Sequence, residues 1–213
     1  MEFPVKVLMT ICTLSMLGAL AGCAGASADV RATGELSATA ATYRLARTPA
    51  QADAGEPLPY EPLLEAGLAQ RGFKESTSGT TRYLVSAAWA SRPADVTVAT
   101  GNPGACVGGC VPSEGPSFPW FGKRYVHTLT LRFFTLPDGH EAYKVSAEKR
   151  DRNADAQQAL PYLVAGALAR LPYAGAPQWR VKMKEAAPAA GQTGAQTGAP
   201  AIPGVISVTP LAQ

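Results

Sequence analysis

The spacing of apolar residues marks out the elements of this chain. Tyr60, Leu63, Leu64 and Leu68 fall on one face of a helix running from Pro59 or Tyr60 to about Arg71. Pro59 and Pro62 sit in its first turn, where a missing amide hydrogen matters least, and Gly72 supplies the left-handed residue that ends it. A second helix carries Leu160, Leu163, Val164, Ala167, Leu168 and Leu171 at helical spacing and stops at Leu171-Pro172; Pro161 is either its first residue or a kink. Alternation of period two marks strands. Thr81 to Ser91 sets Tyr83, Val85, Ala87 and Trp89 against Arg82, Leu84, Ser86 and Ala88. Arg124 to Leu136 puts Tyr125, His127, Leu129, Leu131 and Phe133 on one face. Pro137-Asp138-Gly139-His140 reads as a tight turn, and Glu141 to Lys149 as the hairpin partner. Short strands are also expected at Thr42 to Ala46 and Gln178 to Met183.

Elsewhere the pattern lapses. Residues 23–41 are mostly small and polar and read as a flexible tether. Residues 48–59 hold Pro49, Gly55, Pro57 and Pro59 and read as a loop. Residues 92–123 form a long Gly/Pro-rich loop containing Cys106, Cys110, Trp120 and Phe121. Residues 185–213 have too little apolar content to pack and read as a disordered tail. Within that tail, the apolar island Ile202 to Val208 is left open between a docked segment and a solvated end. The expected architecture is α+β: one domain over 42–184, with an antiparallel sheet of four to five strands and two helices on one face.

The first residues change the picture. Val7 to Leu20 is uncharged, follows Lys6, and is shorter than a membrane span requires. It ends in Leu20-Ala21-Gly22-Cys23, which matches the bacterial lipobox at all four positions. Residues 1–22 therefore read as a cleaved signal, and Cys23 as the lipidated first residue of the mature protein. Several acyl chains would hold it firmly on a membrane. Ala24 rather than Asp after the cysteine points to the periplasmic face of the outer membrane.

Composition narrows the chemistry further. The net charge of +3 does not change with the leader removed, since Glu2 and Lys6 leave together. No run of Lys or Arg suggests a nucleic-acid groove. Cys106 and Cys110 flank Val107-Gly108-Gly109, and in an oxidising compartment the reading favours a disulfide, with two free thiols as the next alternative. A tetrahedral metal site needs four ligands, and besides the two cysteines only His127 and His140 remain, one mid-strand and one in a turn, so no metal is expected. No P-loop, Gly-x-Ser-x-Gly elbow or His-Glu-x-x-His is present, and no cofactor is expected. His127 reads first as a packed strand residue and second as a catalytic one. Trp120, Phe121 and Tyr125 form either a partner-binding edge or a cap on the core.

The order strand, helix, strand, Gly-aromatic loop, long strand, Asp-Gly turn, strand, helix, behind a lipobox, resembles proteobacterial lipoproteins carrying the domain of unknown function numbered 4136. The resemblance rests on Thr42 to Leu45, Leu63 to Phe73, Tyr83 to Trp89, Leu129 to Gly139 and Leu163 to Pro172. It departs after the turn, where Tyr143-Lys144 stands in place of the tryptophan many members carry. It implies no catalytic residue. The expected function is thus a non-enzymatic envelope module, anchored through Cys23 and possessing an envelope-protein partner. The alternative is a small periplasmic hydrolase or metal-dependent enzyme using His127.

Overall fold

The computed structural model describes residues 25–36, 41–76, 81–94, 123–171, 177–184 and 201–211. The hairpin expected from alternation is its spine. Strand β5 (Tyr125–Thr135) pairs antiparallel with β6 (Glu141–Asp151), setting Leu129 against Ala147, Leu131 against Val145 and Phe133 against Tyr143. All six side chains are buried. On the other side of β5 lies β4 (Tyr83–Pro93), also antiparallel, with Val85 facing Phe133.

The sheet grows outward from these three strands. Beside β4 lies β2 (Thr42–Leu45), and beyond it the two-residue β3 (Lys74–Glu75); both pairings are parallel. Beside β6 lies β1 (Ala26–Gly34), then β7 (Gln178–Met183) and β8 (Val205–Pro210), all antiparallel. The result is one mixed, eight-stranded sheet in the order β3-β2-β4-β5-β6-β1-β7-β8.

This overturns the expectation of an antiparallel sheet of four to five strands. Parallel pairing at β2 follows from its return through two helices, α1 (Pro49–Ala54) and α2 (Glu61–Ala69), rather than through a hairpin. The short α1 stands in the stretch read as a loop, closed by a reciprocal capping box between Thr48 and Gln51. Of the extra strands, β1 and β8 come from the stretches read as tether and tail, and the two-residue β3 from the segment just after α2. The small residues of β1 are a packing device. Ala28, Val30 and Ala32 are buried under α3 (Ala156–Leu168), whose Gly166 comes so close that an added Cβ would lie 3.2 Å from that of Ala28. Composition that suggests flexibility is here a condition of close helix-on-sheet approach. In the tail, Ile202 packs on the core where α2 meets α3, near Gly67 and Leu168, and β8 then pairs with β7.

Both longer helices sit where their periodicity places them. The chain leaves α2 through Gly72 at φ 81°, as a left-handed terminating residue should. Arg71 donates from Nη1 to the Gly67 carbonyl at 2.8 Å and from Nε to that of Leu168, joining the C-terminal ends of α2 and α3. Helix α3 begins at Asp155, whose carboxylate accepts from the Gln157 amide, and runs on through Pro161. Under the helices, Phe73, Tyr83, Phe133 and Tyr143 form a chain of ring contacts with centroids 5.8–6.5 Å apart. The opposite sheet face is polar: Ser86, Thr130, Arg132, Lys144 and Ser146 stay partly or fully exposed.

Candidate functional site

At the end of the sheet where β4 and β6 finish and β5 begins, one buried ring gathers several polar groups. His127 lies on the helix-facing side of β5, directly across from Ser91 on β4 and Lys149 on β6. Its ring is fully buried. Nε2 is 2.9 Å from the backbone carbonyl of Asn153 and 3.2 Å from Oδ1 of Asp151. A carbonyl can only accept, so Nε2 carries a hydrogen, and Nδ1 is then placed to accept from the Ser91 hydroxyl, 2.8 Å away. Tyr125 stacks beside the ring with planes 25° apart.

Asp151 is the pivot of a wider network. Its carboxylate pairs with Lys149 and accepts the Asn153 amide at 2.9 Å. Burial pushes its carboxyl pKa up, but the Lys149 ammonium, the Asn153 amide and the His127 ring together outweigh burial and hold it below the ordinary value. Asn153 in turn donates to Gln158 at 2.7 Å and accepts from the Asp155 amide. Residues 151–155, which link β6 to α3, are thereby fastened to β5.

Ser91, His127 and Asp151 have the connectivity of a serine-hydrolase triad, with Nδ1 in the role of the base. The arrangement could move a proton from Ser91 Oγ to Nδ1 while Asp151 stabilised the imidazolium. The surroundings offer less. Neither of the two described clefts touches these residues. One, of about 300 Å³, lies between Arg44, Arg47, Glu61, Glu65 and Glu75. There Arg47 grips the buried Glu61 through both carboxylate oxygens, and Glu61 also accepts the Leu58 amide. Burial, then the charges of Glu75 and Glu61, raise the Glu65 pKa against the opposing pull of Arg47. The other, of about 370 Å³, is a shallow hollow on the polar sheet face bounded by Ser86, Thr130, Arg132 and Lys144. Among the described residues no group of three or more His, Cys, Asp and Glu could hold a metal ion, and no helix is long and apolar enough to cross a membrane.

Of the residues singled out from sequence, Tyr125 and His127 are brought together. Cys23, Cys106, Cys110, Trp120 and Phe121 lie outside the described residues. No local sequence pattern marks Ser91 and Asp151. Their one signal is register: given the pairing of β4 with β5, Ser91 stands opposite His127.

No family model matches the chain, and no curated protein does. Solved structures do resemble it. One is a PDZ domain protein from Parabacteroides distasonis, with 10% identity and a TM-score of 0.46 over 83% of this chain and 43% of that one. The chain thus spans less than half the length of that protein. Two others are crystal forms of the PelC dodecamer from Paraburkholderia phytofirmans, one of them a single-substitution variant. They show 15% and 16% identity and TM-scores of 0.38 and 0.36, each over 70% of this chain and 99% of that one.

Proposed function

We propose that the chain is a lipoprotein of the bacterial envelope, acylated at Cys23 and held on the periplasmic face of the outer membrane, where it serves as a non-enzymatic binding module. The observation that carries this reading is Leu20-Ala21-Gly22-Cys23 at the end of an uncharged run. The resemblance to lipoproteins with the domain numbered 4136 agrees with it. The partner is an envelope protein, met through Trp120 and Phe121 of the 92–123 stretch and the neighbouring Tyr125, aromatic residues that offer large contact area for few frozen rotamers. In that compartment Cys106 and Cys110 form a disulfide.

One observation favours a second reading. The Ser91–His127–Asp151 connectivity is what a hydrolase would need to activate a serine. Crosslinking in intact envelope, followed by mass spectrometry of the mature N-terminus and of captured proteins, separates the two. The binding reading expects an acylated Cys23 and a partner lost in a Trp120→Ala/Phe121→Ala variant but kept in Ser91→Ala. An unmodified N-terminus elsewhere overturns the lipoprotein reading. A phenotype lost only with Ser91→Ala or His127→Ala, in proteins that still fold, puts the hydrolase in its place.

A further inference from the structure

The end of the sheet at which β1 starts is strongly cationic. There β4, β6 and β7 finish while β1, β5 and β8 begin, as their antiparallel registers require. Arg92 closes β4, Lys123 and Arg124 lead into β5, Arg152 follows β6, and Lys182 and Lys184 close β7. All six are exposed, and none makes an ion pair among the described residues. Among the described residues, the other charges there largely cancel: Arg150 pairs with Glu148 and Lys149 with Asp151, leaving the Asp155 carboxylate. Among the described residues, six unpaired cations thus stand at this end against one unpaired anion. The opposite end mixes signs, with Glu35, Glu75 and Asp138 near Lys74 and Arg82.

We infer that this cationic end docks flat on an anionic phospholipid surface, its side chains meeting lipid phosphates. The inference rests on the reading that Cys23 is acylated, because that fixes which end faces the bilayer. Cys23 is three residues from Ala26, the first of β1. Three residues reach at most ~10 Å, so an anchor there holds this end within about one Debye length of the headgroups. β1 lies inside the sheet, between β6 and β7, so the anchor emerges among the cations. From β4 to β7 is four strand spacings, about 19 Å, a footprint several headgroups wide. Loose tethering would leave the orientation free; three residues do not.

The test uses the chain from residue 23 with Cys23→Ser, which keeps every strand and helix described, so that no acyl chain contributes. Its partition onto vesicles is measured by co-sedimentation, with phosphatidylcholine alone or with added phosphatidylglycerol. The docking surface predicts binding to the anionic vesicles only, weakening as salt rises. The triple reversal Arg92→Glu/Lys182→Glu/Lys184→Glu should cut the partition about 100-fold, at roughly fivefold for each cation lost. Reversal of Lys74, Arg82 and Lys144 to Glu, the same change of net charge at the far end, should leave most of it. Circular dichroism checks the fold, and Lys123→Gln/Arg124→Gln/Arg152→Gln is the milder second variant. Equal partition onto both vesicle types overturns the inference, as does equal loss in both reversals. Retention on an immobilised acidic polypeptide without vesicle binding would mean a protein partner instead, and also overturns it. Since the assayed chain carries no lipid, its result is independent of whether mass spectrometry finds Cys23 acylated.

Discussion

His127 joins two strands and a connection through a single ring: Ser91 of β4 on one nitrogen, and Asp151 and the Asn153 carbonyl on the other. Removing a fully buried ring leaves a cavity and strips the 151–155 connection of its fastening. His127→Ala should therefore lose about 2–4 kcal/mol in urea denaturation, whereas Ser91→Ala, at an exposed position, should lose under ~1 kcal/mol. Asp151 adds a pH dependence. Its pKa in the folded chain lies below the ordinary carboxylate value of 3.8, so its contribution is complete above that value and disappears as pH falls through the depressed one. A stability-against-pH series should show Asp151→Asn with a flatter acid limb than the native chain. Which face His127 occupies was readable from the alternation of β5. Its partners were not, because Ser91 and Asp151 reach it only through the registers of β4 and β6, which no local pattern states.

At the level of elements, the strongly periodic segments lie where their patterns put them: β4, β5, β6, β7, α2 and α3. The segments that escaped notice are those whose reason for ordering lies in a partner. β1 offers Ala28, Val30 and Ala32 rather than bulky β-formers, and these make sense only beneath Gly166 of α3. That contact sets up a contrast. Gly166→Ala gains up to ~1 kcal/mol of helix propensity but brings a Cβ to 3.2 Å from Ala28, and should leave stability near native. Gly166→Val must push α3 off the sheet and should cost about 1–3 kcal/mol, read by thermal or urea melting. The segment after Pro200 also belongs to the fold. Ile202 and Val208 pack on the core, so stopping the chain after Lys184 should lower the melting temperature by roughly 5–10 °C, with Ile202→Ala accounting for part of it. An unchanged melting temperature would mean that β8 contributes nothing.

The whole molecule is closed by distant pairings. Asp29 faces Glu148 and Ala26 faces Met183, so the sheet joins residues from near both ends of the chain. Local periodicity therefore marks out only 42–184: helices and hairpins announce themselves within a few residues, whereas a strand inserted between distant partners does not. The same insertion gives the molecule a mechanical grain. A pull delivered through Ala26 runs along β1 and shears two ladders at once, six residue pairs against β6 and six against β7, so none yields before its neighbours. A pull on β8 instead peels one ladder from the rim, pair by pair. Pulled between β1 and a load elsewhere in the sheet, the protein should give way first at the rim strands β8 and β3, while the grip at β1 holds.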